Sequence, residues 1–149
     1  MSFIKLTSHN HELKTDNSKK FLEIAKIIAS FSRAKRLQVG AVIVSTRGRI
    51  LGTGFNGTPN SVDNVCETVN NKTYDYVIHA ELNSILNASS SDLRGSTMYL
   101  TDSPCIKCAS AILQVGISKI IFLNKYRLTD GIDFLIKHGV EVYQYSIED

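Results

Sequence analysis

His79 and Glu81 stand two residues apart, and Pro104, Cys105 and Cys108 follow after an interval long enough for one further strand. One histidine and a Cys-x-x-Cys pair are donors of the kind that hold zinc. A structural zinc site closes with four protein ligands, whereas a catalytic one takes three and leaves the fourth position to water. The candidate ligands here are three, His79, Cys105 and Cys108, giving one zinc per chain. Glu81 is too close in sequence to His79 to share its ligand position easily, but it can reach a water on the ion. That combination points to metal-assisted hydrolysis: zinc lowers the pKa of its water toward about 7, and Glu81 acts as the catalytic acid and base. The competing reading is a binding module in which metal only holds the fold. Glu81 speaks against it, because a structural site has no use for a free acid beside an open position.

The elements that must position these groups are legible in the periodicity. Ser103 as N-cap, Pro104 as first helical residue and Gly116 as terminator delimit a helix, so Cys105 and Cys108 project from one face of its first turn, where the helix dipole favours thiolates. A second helix starts near His79 and runs through Leu82, Ile85 and Leu86 until Ser89 to Ser91 break it. Upstream, Phe21, Ile24, Ala25 and Ile28 recur at helical spacing from an N-cap at Ser18 to about Arg33. Val39 to Val44 and Arg49 to Gly54 form a hairpin around Arg47 and Gly48, and strands follow at Met98–Thr101, Lys119–Leu123 and Val140–Tyr145, with a helix over Asp130–His138. Strand-helix-strand units make the last three strands parallel, with the hairpin beside them in one mixed sheet and helices on both faces. The segment from Phe55 to Asp75 is rich in turn formers, and a loop near that length in a small domain is a candidate substrate loop.

Composition sets the outer bounds. The 149 residues, 43% hydrophobic and 21% charged, suit one domain spanning residues 1–149, with residues 1–17 a loosely ordered arm. No apolar run approaches the roughly 20 residues of a membrane span, and the N-terminus lacks the apolar centre of a secretion signal, so no membrane partner and a cytoplasmic location are expected. Three cysteines with two committed to metal suit a reducing compartment, which leaves Cys66 as a free thiol in the loop. The net charge of +3 is spread along the chain except at Arg33, Lys35 and Arg36, which excludes a nucleic-acid tract. That cluster is either a solvated helix end or a pocket for one phosphate.

The motifs resemble the deoxycytidylate (dCMP) deaminase family of the cytidine deaminase-like superfamily, over most of residues 20–143. The resemblance is carried by Gln38-Val39-Gly40-Ala41-Val42-Ile43-Val44, Gly54-Phe55-Asn56-Gly57-Thr58-Pro59, His79-Ala80-Glu81-Leu82-Asn83-Ser84-Ile85-Leu86, Ser103-Pro104-Cys105-Ile106-Lys107-Cys108 and Asn124-Lys125-Tyr126. It implies a three-layer α/β/α sandwich with a five-stranded mixed sheet. The implied reaction is zinc-dependent hydrolysis of dCMP to dUMP and ammonia, which supplies thymidylate synthesis. By the same resemblance Asn56 contacts the deoxyribose, Ala80 lies against the substrate, and Tyr126 lies near its phosphate. Ser32 and Arg33 stand where the family has Ser-Lys, so they are implied in holding that phosphate. dCTP and dTTP as effectors, Mg2+ with a bound effector and a homohexamer are also family implications. Ala34 and Lys35 replace a common Asp-Pro, a departure that bears on regulation and on a second zinc rather than on the chemistry. Other deaminase substrates, namely dCTP, a free nucleoside or a tRNA adenosine, share the same zinc motif.

Overall fold

The computed structural model describes residues 2–5 and 15–146. Its elements are β1 (Ser2–Lys5), α1 (Thr15–Ala29), β2 (Gly40–Val44), β3 (Ile50–Phe55), α2 (Ala80–Leu86), β4 (Thr97–Asp102), α3 (Ile106–Gln114), β5 (Lys119–Asn124), α4 (Asp130–Lys137) and β6 (Glu141–Ser146). Every residue of β2 is buried, which is the pattern of a strand covered on both faces rather than one side wet. The cover is unequal. Val42, Val44, Tyr99, Ile121 and Tyr143 pack with Leu22 and Ala25 of α1, while Ala41, Ile43, Met98, Leu100, Ile120 and Phe122 belong to a larger core reached by α2, α3 and α4. Successive strand residues thus alternate between a one-helix layer and a three-helix layer, the α/β/α sandwich expected from the sequence.

The strands run in the order β1-β6-β5-β4-β2-β3. Strands β4, β5 and β6 are parallel, and the β2–β3 hairpin joins through β2 antiparallel to β4. The five strands read from sequence are all present, and β1 adds a sixth, antiparallel to β6. Its residues fall within the span read as a loose arm. Four residues are too few to show a period, but pairing them covers the backbone edge that β6 would otherwise expose. Of the rest of that arm, residues 15–17 open α1, and residues 1 and 6–14 lie outside the described residues. Helix α1 begins at Thr15, so Ser18 is an interior residue and not an N-cap; its Oγ lies 3.3 Å from the Tyr99 hydroxyl in the interior. The helix also stops at Ala29, earlier than the sequence suggests, which frees the following residues to turn toward the site.

Gly54 brings the site's supporting helix close. A Cβ at this position would meet the Ser84 nitrogen and lie 2.6 Å from the Ala80 carbonyl oxygen, so only glycine lets α2 rest its backbone on β3. Asn83 and Asn87 reinforce the seat by donating to the carbonyls of Phe55 and Thr53 at 2.8 and 3.1 Å.

Candidate active site

The site forms where β4 ends and two helices begin, the crevice at the carboxyl ends of parallel strands. His79 is the N-cap of α2 and Cys105 the N-cap of α3, both with extended backbone and neither spending its side chain on a capping hydrogen bond. An N-cap side chain normally turns back to a free N–H of the first turn. Here the imidazole and the thiols face one another instead. His79 Nδ1 lies 3.5 Å from Cys105 Sγ and 3.4 Å from Cys108 Sγ, and the three donor atoms all fall within 4.8 Å of one another. Bonds of zinc to sulfur and nitrogen at a tetrahedral angle would separate those atoms by about 3.6 Å, so the donor set fits zinc in both chemistry and spacing. Among the described residues it is the only such donor group.

The sequence places the start of α3 two residues early. Ser103 does not cap it; its hydroxyl accepts from the Tyr126 N–H at 2.7 Å and so ties down the loop after β5. Cys105 and Cys108 still share one face, as N-cap and third helical residue. Gly131 clamps this turn from the other side, because a Cβ there would collide with the Pro104 carbonyl and approach the Cys105 carbon to 2.8 Å.

Electrostatics follow from the crowding of these groups. Hydrogen bonds from Cys108 and His79 hold the Cys105 thiol down, to about 3, whereas the same contact with Cys105, together with burial, pushes Cys108 up. A cation held between the two sulfurs would favour the ionised form of both. His79 is raised by its hydrogen bond with Cys105, against the effect of its burial. Glu81, second residue of α2 and 5% exposed, is pushed up to about 7 by burial, with its own backbone N–H and His79 pulling the other way.

These groups open on a cavity of about 480 Å³. His79, Ala80, Glu81 and Cys105 line it, and so do Asn56 and Tyr126, which brings together most of the residues singled out in the sequence. Ser32 and Arg33 are not among its lining residues. Ser32 is buried, and its hydroxyl donates to the Asn56 carbonyl at 2.8 Å and accepts from the Ala34 N–H at 3.2 Å, so it braces the wall rather than forming its surface. Arg33 is exposed elsewhere, and Arg36 takes the lining position. The early end of α1 explains the change: residues 30–39 leave the helix as turn and coil, so helical spacing no longer decides which cation faces inward. Arg127 also lines the cavity, with its guanidinium 6.0 Å from the Tyr126 ring centre. Its adjacency to Tyr126 was the available signal. Asn56 has a further structural task, accepting from the Val39 N–H and donating to the Leu37 carbonyl, each at 2.8 Å. Cys66 is buried against Ala34 and Val77, apart from the donor group.

Residues 15–124 match the family described as the cytidine and deoxycytidylate deaminase zinc-binding region. The chain belongs to this family. Among deoxycytidylate deaminases, the human protein is 42% identical over 118 residues, covering 74% of this chain and 66% of the relative, and the mouse protein is 41% identical over 111 residues, 70% and 62% respectively. The chain therefore spans slightly less than two thirds of the length of these relatives. A crystal structure of the dCMP deaminase from cyanophage S-TIM5 in complex with dCMP and dUMP superposes with a TM-score of 0.85 at 38% identity, covering 90% of this chain and all of the phage chain.

Proposed function

We propose that this family member hydrolyses dCMP to dUMP and ammonia. The observation that carries the reading is the buried Glu81 carboxyl beside a three-donor zinc set, with Glu81, His79 and Cys105 lining one cavity together with two arginines. Bound at His79, Cys105 and Cys108, zinc supplies a Lewis-acid centre that makes water acidic enough to act as a nucleophile near neutral pH. Glu81 supplies the proton traffic. Burial leaves its carboxyl ready to hold a proton, and its balance shifts back toward the carboxylate when a cation is held by the neighbouring ligands. As a carboxylate it takes one proton from water and passes it to the ring nitrogen beside the amino-bearing carbon, then takes the second from the hydroxyl added at that carbon and delivers it to the departing amine. Oxygen is added at that carbon, the carbon–nitrogen bond breaks, and ammonia leaves. Ala80, without a side chain beyond Cβ, leaves room for the base, while Asn56 holds the Leu37–Val39 wall and keeps one N–H and one lone pair for the sugar.

Arg36 and Arg127 match the remaining charge of the substrate. Guanidinium groups grip phosphate by paired charge-assisted hydrogen bonds, and Tyr126, its ring centre 6.0 Å from the Arg127 guanidinium, offers a flat surface for the nucleotide. The S-TIM5 complex with dCMP and dUMP supports the same substrate class here. Two charge-assisted contacts at roughly 1.5–3 kcal/mol each correspond to at least about a hundredfold in kcat/KM. The wild-type protein should therefore prefer dCMP to deoxycytidine by that factor. Arg36→Ala and Arg127→Ala should each shrink the preference about tenfold, and Arg33→Ala should leave it intact. Equal efficiency on dCMP and deoxycytidine would move the protein to the nucleoside branch. A homohexamer, dCTP and dTTP as effectors with Mg2+, and supply of dUMP for thymidylate synthesis rest on the family resemblance, whereas a single domain over residues 1–149 and a cytoplasmic location rest on length, composition and the N-terminal sequence. Among the described residues no helix is long and apolar enough to cross a membrane.

A further inference from the structure

Residues 32–39 carry a cavity-lining arginine on a backbone with no regular structure, so its polar groups need partners from elsewhere. Ser32 and Asn56 satisfy the two ends of this segment, as described above. The middle is held by Glu67, a buried carboxylate from the loop before His79 whose Oε1 accepts from the Lys35 N–H at 2.5 Å and the Arg36 N–H at 3.2 Å. A proline at position 35 would offer no such donor.

Glu67 is itself anchored in a small antiparallel turn. It bridges to Thr73, with the Tyr74 N–H donating to the Cys66 carbonyl at 2.9 Å and the Thr68 N–H to the Lys72 carbonyl at 2.8 Å. Cys66, Val77 and Tyr74 then pack this turn against Ala34. The opposite strand of the turn brings Thr73 to the cavity. Glu67 thus holds the Arg36 backbone, 31 residues away in sequence, with its carboxylate and pairs with Thr73 through its own backbone, and both of those residues line the cavity.

We infer that Glu67 is the positioning residue for phosphate recognition: it locks the Lys35–Arg36 backbone so that Arg36 meets the phosphate of a nucleoside monophosphate. This rests on the monophosphate reading above, and it assigns Glu67 no contact with substrate or reacting atoms. Its signature is a selective change in KM. A merely structural carboxylate would, on removal, disturb substrates with and without phosphate alike.

The test is kcat and KM for dCMP and for deoxycytidine with zinc-loaded wild type, Glu67→Gln, Glu67→Asp and Glu67→Ala, with zinc content and thermal unfolding as controls. Glu67→Gln keeps an oxygen able to accept both N–H groups and should stay within about threefold of wild type on both substrates. Glu67→Asp keeps the charge but is shorter by one methylene, and should raise KM for dCMP several-fold with kcat unchanged. Glu67→Ala should raise it about tenfold and leave deoxycytidine nearly unaffected. In an Arg36→Ala background, Glu67→Asp should add less than twofold, because the group it positions is gone. Equal losses on the two substrates, or a full additional loss in the Arg36→Ala background, would overturn the inference while leaving dCMP as substrate. A wild-type protein indifferent to the phosphate would overturn both, and wild-type kinetics in Glu67→Asp and Glu67→Ala would overturn the inference alone.

Discussion

Glu81→Gln should retain zinc, fold normally and lose at least about a hundredfold in turnover. The amide has nearly the same shape, so the buried pocket at the start of α2 stays filled and the His79–Cys105–Cys108 set is undisturbed. What is lost is the route for the proton, since an amide neither takes one from water nor returns one to the departing amine, and a positioned acid-base group is worth about 10²–10⁴-fold. Zinc content and kcat must therefore separate. The variant should also bind dCMP about as tightly as wild type, because Glu81 acts on the reacting atoms and not on the phosphate. Retention of more than about a tenth of wild-type turnover would assign the proton transfer to another group.

Loss of the metal should be equally severe and differ in kind. Cys108→Ala removes a buried sulfur from the donor set and leaves two ligands, below the three of a catalytic zinc site. The purified variant should carry little zinc and show turnover at the background level. Chelation of the wild type should abolish activity, and added zinc should restore it to the wild type but not to the variant. Thermal unfolding of the wild type should shift to lower temperature on chelation, because an ion that binds only the folded arrangement stabilises it. A Cys108→Ala protein with full zinc and activity would contradict the assigned ligand set.

The strongest sequence signals proved to be those with a fixed chemical or steric requirement. The Cys-x-x-Cys spacing, the histidine with an acid two residues on, and the continuous apolar run of β2 each admit few arrangements, and all appear in the structure as read. The sequence starts α3 too early because Ser-Pro looks like a cap followed by a first helical residue; the Ser103 hydroxyl is claimed by the Tyr126 N–H instead, and Cys105 becomes the cap. The resemblance points to Arg33 through the Ser32-Arg33 pair, whereas Arg36 is the arginine of this cluster that lines the cavity. Once α1 ends at Ala29, the direction of each basic side chain depends on hydrogen bonds from residues distant in sequence, such as Glu67 and Asn56. No local pattern encodes those bonds. Strand β1 leaves no local signal either, since its pairing partner β6 lies at the other end of the chain and its four residues carry no periodicity of their own.

The most direct measurement is product formation from dCMP by the zinc-loaded protein, following dUMP and ammonia together, with Glu81→Gln as control. The predicted result is one ammonia released for each dUMP formed, at a rate that disappears in the variant although its zinc remains. A wild-type protein that holds one zinc per chain and leaves dCMP unchanged would contradict the proposed function.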